Sequence, residues 1–230
     1  MPADARAQEI AYPAGSRRVG AHLALPASGR GRGVVVLHEA WGLDAFVRGA
    51  CARLAREGFV ALAPDLFGGK QAADVAEAQR LSDALAPARV EEDLAGAVQA
   101  LQNHDAVEGP RVGVLGFCLG GHLALLAAAR TPRVGAAIDF YGLFPHPPVE
   151  VAAVAAPLLA IFAERDAYIT AEAVAGLRAA LRAAGKHATV AVEPGVDHGF
   201  MNDTRPDRFD AAAAARGWER LLAFLRAELA

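Results

Sequence analysis

The chain is poor in cysteine, has no excess of positive charge and contains no long apolar run. Its 230 residues include two cysteines, Cys51 and Cys118. The 23 lysines and arginines against 26 aspartates and glutamates give a formal net charge of −3, which argues against a nucleic-acid-binding surface. No uninterrupted apolar stretch approaches the roughly 18 residues of a transmembrane helix, so no membrane span is expected.

Signals and cofactor motifs are absent as well. Residues 1–6 lack a charged segment followed by an apolar one, so no secretory signal is expected. The histidines and carboxylates show no metal-ligand spacing such as H-x-x-x-H, so no metal or other cofactor is expected. A cytoplasmic location is expected, because a reactive cysteine must stay reduced. The oligomeric state is left open.

Strand-like and helix-like segments alternate along the chain. After a hairpin-like segment at 10–25, strands are predicted at 33–38, 59–63, 111–115, 134–141, 157–163 and 188–192. Helices are predicted at 47–57, 74–86, 90–104, 122–130, 171–184 and 207–229. This alternation predicts a mainly parallel sheet with helices on both faces. Residues 1–230 are expected to form one α/β domain. The short connection at 142–156 leaves no room for a large lid, so the site should be open to solvent.

The most informative motif is Gly116-Phe117-Cys118-Leu119-Gly120-Gly121, between a predicted strand and a predicted helix. It has the G-x-S-x-G pattern of the nucleophile elbow of α/β-hydrolases, with cysteine in place of serine. Glycines flank such an elbow because side chains there would collide with the tight turn. The Cys118 thiol should be exposed at the sheet edge, where the following helix N-terminus favours a thiolate and an oxyanion. Cys51, at helical spacing with apolar neighbours, is interpreted as a core residue.

A cysteine nucleophile needs a general base and an acid that orients the base. In this fold the order along the chain is nucleophile, acid, histidine. Of the seven histidines, His198 lies in a turn-rich loop after the last predicted strand and is predicted to be the base. His38 is interpreted as a hydrogen-bonded structural residue, and His122 as a packed or exposed helix residue. The remaining histidines are predicted at the surface: His22, His104, His146 and His187.

Asp166 is predicted to be the acid, because it lies in the loop after a predicted strand and precedes the histidine. Asp197 is adjacent to His198 in sequence, and neighbouring side chains diverge. Asp139 lies within a predicted strand and is interpreted as a buried, hydrogen-bonded group. Glu164 is the nearest competitor, with a solvated loop charge as its alternative role.

Glu39 stands in the segment His38-Glu39-Ala40-Trp41-Gly42, at the end of the first predicted parallel strand. In hydrolases this loop supplies an oxyanion donor. A carboxylate beside an oxyanion is electrostatically unhelpful unless it serves another purpose. From the residues alone, an exposed loop charge is the simpler interpretation.

Taken in order, these motifs resemble those of the dienelactone hydrolase family over nearly the whole chain. The glutamate loop together with a cysteine elbow is the discriminating pair. The matching segments are His38-Glu39-Ala40-Trp41-Gly42, Ala63-Pro64-Asp65-Leu66, the elbow at 116–121, Asp166 and His198-Gly199-Phe200.

The resemblance implies a carboxymethylenebutenolidase-like hydrolase that cleaves a small lactone or carboxylic ester through an acyl-cysteine intermediate. The cysteine, aspartate and histidine named above would form its catalytic triad. Glu39 would hold the resting thiol by a hydrogen bond and accept its proton when substrate binds. Ala40 and Leu119 would donate backbone N–H groups to the oxyanion.

The resemblance gives a mixed indication of the substrate. Arg80, in Glu77-Ala78-Gln79-Arg80, matches an arginine that binds the carboxylate of enol-lactones, and a solvated helix arginine is the alternative. A second expected arginine is Asn202 here, with Arg205 nearby but out of register, and an expected pocket tyrosine is Ala84. Four aromatic residues are candidates either for a pocket wall or for the core: Trp41, Phe117, Tyr141 and Phe200.

Two alternatives remain open. A broad carboxylesterase acting on uncharged esters would use the same triad, and Asn202 and Ala84 favour it. A non-catalytic member of the fold would instead use its thiol as a sensor of oxidants or electrophiles. A sensor thiol should react fast at neutral pH, whereas a thiol kept protonated by Glu39 should react slowly.

Overall fold

The computed structural model describes residues 6–230, so residues 1–5, which carry most of the prediction about a secretory signal, lie outside the described residues. The strands are β1 (Arg6–Ala14), β2 (Arg17–Leu25), β3 (Gly31–Leu37), β4 (Val60–Pro64), β5 (Val107–Phe117), β6 (Val134–Phe140), β7 (Leu158–Ala163) and β8 (Ala188–Glu193). The helices are α1 (Ala45–Arg56), α2 (Val75–Asp83), α3 (Pro87–Gln102), α4 (Leu119–Arg130), α5 (Ala171–Ala183) and α6 (Ala211–Glu228).

All eight described strands belong to one sheet, in the order β1-β2-β4-β3-β5-β6-β7-β8. β1 and β2 form an antiparallel hairpin, and β2 also pairs antiparallel with β4. The remaining pairs, from β4 through β3 to β8, are parallel. The prediction of a mainly parallel sheet with an N-terminal hairpin is therefore confirmed.

The side chains of β3 show how the sheet separates two cores. Val35 and Leu37 pack on one face with residues of α3, α4 and α5, whereas Val34 and Val36 pack on the other face with α1 and α6. Successive side chains of a strand point to opposite faces, so a run of valines is buried only when helices cover both sides. Helices on both faces are thus confirmed.

Four predicted helices differ from the observed ones by three or four residues at one end. The helices predicted at 90–104 and 122–130 begin earlier, at Pro87 and Leu119, and the other two differences have a clear local cause. The predicted helix at 207–229 begins at Ala211 instead, because the Asp210 side chain caps it by accepting a hydrogen bond from Ala213 N at 2.8 Å. The predicted helix at 74–86 ends at Asp83, since Pro87 opens the next helix. Propensity alone does not locate these ends, because a side-chain cap sets the first and the start of the next helix sets the second.

The carboxyl ends of the parallel strands meet at one edge of the sheet. This edge carries His38 and Glu39 after β3, Cys118 after β5 and Asp166 after β7. The connection from β6 to β7 contains only a short 3-10 turn, Val151–Ala153, so no large lid covers the edge within residues 6–230. No helix in the described part of the chain combines the length and the apolar character needed to cross a membrane.

The junction of β5 and α4 leaves no space for a side chain at Gly116. A Cβ atom added at this position would overlap the carbonyl oxygen of Gly120, which is backbone and cannot rotate away. We expect Gly116→Ala to lower the free energy of unfolding by at least about 2 kcal/mol.

Gly176, in the middle of α5, is the matched control, because a Cβ atom there meets open space. Gly176→Ala should raise the free energy of unfolding by roughly 0.5–1 kcal/mol, since glycine is a poor helix former. Urea unfolding of the two variants measures both changes in the free energy of unfolding. Equal changes in the two variants would show that the junction of β5 and α4 is not tightly packed.

Candidate active site

Cys118 occupies a strained turn between β5 and α4. Its backbone angles are φ 52° and ψ −118°, a region that non-glycine residues rarely adopt. Such a conformation costs on the order of 1–3 kcal/mol and persists only where the surroundings enforce it. The Cys118 N–H donates to the Phe140 carbonyl at 2.9 Å, and the Cys118 carbonyl accepts from His122 N at 3.1 Å. The elbow is therefore tied both to the neighbouring strand and to its own helix.

Glycines allow the backbone to approach the elbow closely. A Cβ atom at Gly120 would overlap the Leu37 carbonyl at the end of β3, and one at Gly142 would overlap the His122 amide nitrogen. A Cβ atom at Gly121 would overlap the Asp139 carboxylate, whose Oδ1 accepts from Gly142 N at 2.8 Å. The ends of β3, β5 and β6 are thus in direct contact around the cysteine.

The sulfur of Cys118 is less exposed and less acidic than the sequence predicts. The residue is half-buried, and burial followed by the charge of Glu39 raises the pKa of its thiol well above the usual range. The backbone N–H groups of Leu119 and Ala40 reach the sulfur and lower this pKa, but they do not compensate. The expectation of a favoured thiolate is therefore wrong for this resting structure, because desolvation outweighs the helix N-terminus.

His198 is hydrogen-bonded to Asp166. His198 Nδ1 lies 2.8 Å from Asp166 Oδ2, and the other carboxylate oxygen accepts from Tyr168 N at 2.8 Å and Ile169 N at 3.0 Å. The Asp166 side chain is fully buried, and that of His198 is 9% exposed. A carboxylate held by two backbone donors is well fixed to orient the imidazole.

The competing carboxylates lie elsewhere. Glu164 accepts from Gly195 N at 2.8 Å in an exposed loop, and Asp197 lies 3.6 Å from Arg165. Asp139 is fully buried, as interpreted from the sequence, and desolvation raises its pKa well above the usual range. Of the acids weighed for His198, the structure brings only Asp166 into contact with it.

Two histidines are buried where the sequence left exposure open or predicted it. His22, predicted at the surface, is 8% exposed, and its Nδ1 lies 2.8 Å from Glu9 Oε1 on β1 and 2.8 Å from the Arg48 guanidinium on α1. His122 is buried and bonded to the Pro147 carbonyl at 2.7 Å. Neither ring contacts His198 or Cys118 through a hydrogen bond in the described residues.

Glu39 is buried beside the sulfur rather than exposed in the loop. Only 4% of the residue is accessible, and desolvation raises the pKa of its carboxyl to about 7. The largest opposing effect is a hydrogen bond of 2.6 Å that Asn202 Nδ2 donates to Glu39 Oε2. The Asn202 orientation is set by its other end, where Oδ1 accepts from Thr204 N at 3.0 Å and Thr204 Oγ1 at 2.6 Å. This contact was missed from the sequence, because nothing in either segment signals it.

Tyr141 packs against the ring of His198 on the buried side of the site. It is fully buried with a positive φ of 45°, and its ring lies 4.9 Å from that of His198 and 5.3 Å from that of Phe200. Its hydroxyl makes no hydrogen bond of good geometry to a described residue, yet it is close enough to Glu39 to lower the pKa of that carboxyl. Phe117 and Phe200 are likewise fully buried, so these three of the four candidate wall residues belong to the core.

A surface cavity of about 470 Å³ adjoins this group of residues. Its lining includes Asn202, which is hydrogen-bonded to Glu39, and Trp41. The guanidinium carbon of Arg205 lies 4.6 Å from the centre of the Trp41 ring. Two carboxylates also line it, Asp44 and Asp74, and these cap α1 and α2. Arg205 is thus the one cation among the lining residues.

Arg80 does not line this cavity. It lies on α2 with 64% of its side chain exposed, and it pairs with Glu77 at 2.9 Å. The geometry therefore gives the solvated-helix interpretation of Arg80 more support than the role of an anion contact.

The raised pKa of Glu39 makes stability depend on pH. A carboxyl with a pKa of about 7 in the folded state and near 4.5 when unfolded stabilises the fold only while protonated. That contribution is lost as pH rises from about 4.5 to about 7. The free energy of unfolding of Glu39→Gln, relative to that of wild type, should therefore rise by up to about 3 kcal/mol over this interval and stay constant at higher pH.

Urea unfolding at several pH values measures this difference. Glu164→Gln, at a carboxylate in an exposed loop, is the control substitution, and the Glu39→Gln difference is read relative to it. A Glu39→Gln difference that does not change with pH would contradict the burial effect.

Comparison with known proteins identifies the family. Residues 19–229 match the model of the dienelactone hydrolase family. Protein usf of Aquifex pyrophilus is 31% identical over 226 residues, covering 95% of this chain and 97% of the relative. A provisionally named carboxymethylenebutenolidase of Aquifex aeolicus is 31% identical over 229 residues, covering 96% and 99%. The crystal structure of a provisionally named dienelactone hydrolase from Klebsiella pneumoniae is 30% identical, with a TM-score of 0.89, and covers 97% of this chain and 99% of that one. The chain belongs to the dienelactone hydrolase family and has the α/β-hydrolase fold.

Proposed function

We propose that this protein hydrolyses a small lactone or carboxylic ester, with Cys118 as nucleophile, His198 as acid and base, and Asp166 as the residue that orients the histidine. The observation that carries the proposal is the convergence of two backbone donors on one sulfur. The N–H groups of Ala40 and Leu119 both act on Cys118 from separate segments. Two such donors are what a tetrahedral oxyanion requires.

The acylation step begins with the Cys118 thiol giving its proton to Glu39. The sulfur bonds to the carbonyl carbon, and the carbonyl oxygen becomes an oxyanion between the N–H groups of Ala40 and Leu119. The carbon–oxygen bond then breaks, and the leaving oxygen takes a proton from His198. His198 therefore enters the cycle as an imidazolium, which the Asp166 carboxylate stabilises at 2.8 Å.

The deacylation step reverses these proton movements. Water gives a proton to His198 as its oxygen bonds to the acyl carbon, and the carbon–sulfur bond breaks. The departing thiolate recovers its proton from Glu39, so the resting state is restored. A pKa of about 7 lets Glu39 exchange a proton in both directions near neutral pH.

The raised pKa of the Cys118 thiol favours this proposal over the sensor alternative. A sensor needs a resting thiolate, because the thiolate is the species that oxidants and electrophiles attack. Burial and Glu39 act against a resting thiolate here. The chemistry also requires a reduced thiol, which supports a reducing compartment such as the cytoplasm.

The charge of the adjoining cavity favours uncharged substrates. Asp44 and Asp74 contribute two carboxylates against the single cation Arg205, whose Nε also lies 3.4 Å from Asp207. The side-chain amide of Asn202 is already hydrogen-bonded to Glu39 and Thr204, so it is not free to bind a substrate carboxylate. A carboxylated lactone would therefore meet net repulsion, whereas Trp41 offers an apolar ring face.

We expect Cys118→Ala to lower the turnover of an aryl ester by at least about 1000-fold, because no other described residue replaces the nucleophile. The assay follows release of the aryl alcohol by absorbance. Cys51→Ala is the matched control, since that thiol is fully buried in the core and should be dispensable for turnover. Near-wild-type turnover by Cys118→Ala would refute the proposed nucleophile.

We also expect the wild type to prefer an uncharged substrate. Its kcat/KM for an aryl acetate should exceed that for a carboxylated dienelactone by about tenfold or more, from the repulsion described above. Asp44→Asn combined with Asp74→Asn should narrow this ratio, because both substitutions remove negative charge from the cavity. Efficient turnover of the dienelactone by wild type would contradict this preference and would indicate that the positive charge of Arg205 outweighs the two carboxylates of the cavity.

A further inference from the structure

His38 is a fully buried residue that the proposed mechanism does not use. It directly follows β3, and both of its ring nitrogens are hydrogen-bonded to backbone groups. Nδ1 lies 2.6 Å from the Glu39 carbonyl oxygen, and Nε2 lies 3.2 Å from Leu66 N. The ring also packs edge-on against Phe67 at 4.7 Å. The imidazole is therefore held in a single orientation.

These two contacts define the position of the ring proton. The Leu66 N–H can only donate, so Nε2 must accept and carries no proton. In a neutral imidazole the proton then resides on Nδ1, from which it is donated to the Glu39 carbonyl. Protonation of Nε2 would set two donors against each other, so the neutral form suits this position. Burial acts in the same direction and lowers the pKa of His38.

The carbonyl that His38 holds belongs to the same peptide unit as the Ala40 N–H. A trans peptide is planar, and its C=O and N–H groups point in opposite directions. A donor fixed on the Glu39 oxygen therefore directs the Ala40 N–H to the far side, where the Cys118 sulfur lies. We infer that His38 is a positioning residue that holds this peptide so that the Ala40 N–H is aimed at the oxyanion.

This inference rests on the proposed function, because it assigns the Ala40 N–H to an oxyanion. One further bond holds the same carbonyl, since Gly42 N donates to it at 3.2 Å across a turn. Loss of the His38 bond should thus weaken the alignment of the donor rather than abolish it. Removing one oxyanion donor entirely costs roughly 100- to 1000-fold in rate, so a smaller effect is expected here.

Two substitutions separate the positioning role from a purely structural one. The amide nitrogen of asparagine falls near the Nδ1 position of histidine, so His38→Asn can keep the bond to Glu39 and loses the one to Leu66. The amide group of glutamine falls near the Nε2 position, so His38→Gln can keep the bond to Leu66 and loses the one to Glu39. Each variant gives up one buried hydrogen bond, and urea unfolding should show similar losses of stability.

The readout is the ratio of two reactions of the same thiolate. One is acylation by an aryl ester, which creates an oxyanion, and the other is alkylation by iodoacetamide, which does not. Measured at one pH, the ratio cancels any change in the fraction of thiolate. We expect His38→Gln to lower the ratio about 10- to 100-fold and His38→Asn to keep it within about threefold of wild type.

Controls make each result decisive. His122→Asn is matched in burial and loses the hydrogen bond that His122 Nε2 makes to the Pro147 backbone carbonyl, so it should leave the ratio unchanged. Equal ratios for the two His38 variants, or an equal loss in His122→Asn, would overturn the inference while leaving the proposed function intact. Ester turnover that survives Cys118→Ala would overturn both.

Discussion

The close approach of backbone segments around Cys118 is the constraint on which the site depends. Gly116, Gly120, Gly121 and Gly142 each stand where a Cβ atom would overlap a neighbouring backbone or carboxylate atom. Because of this packing the chain can turn at Cys118 with φ 52°, and the end of β3 reaches the start of α4. Backbone donors from both segments then meet at one sulfur. A rigid elbow of this kind pre-organises polar groups that would otherwise be solvated.

Burial of these groups sets the protonation state of the site. Desolvation raises the pKa of the Cys118 thiol, so the thiol is neutral at rest. Desolvation also brings the pKa of the Glu39 carboxyl to about 7, so the ionised form that accepts the thiol proton is populated near neutral pH. Asn202 binds Glu39 with a neutral amide, which lowers the pKa of the carboxyl less than a guanidinium would. The result is a thiol that stays protonated beside a carboxyl able to exchange a proton near neutral pH. Stability and reactivity are therefore linked through one buried charge.

Local sequence motifs are sufficient to predict much of the fold. They do not predict the contacts between segments that are distant in sequence. The elbow, the alternating strands and helices, and the hydrogen bond of His198 with Asp166 could be predicted from motif order, because the carboxyl ends of parallel strands share one edge. The bond from Asn202 to Glu39 spans 163 residues and depends on how two loops pack. The direction of the Cys118 pKa shift likewise depends on burial, which a helix N-terminus alone does not reveal. The catalytic roles of Cys118, Asp166 and His198 stay predictions.

The most direct test of the account is to trap the acyl group on the enzyme. A slowly hydrolysed aryl ester is mixed with the protein, the reaction is quenched in acid, and intact and peptide masses are recorded. The account predicts one acyl group per chain, on the peptide containing Cys118, released by hydroxylamine as a thioester is. An acyl group on another residue, or product release without any adduct under burst conditions, would contradict it.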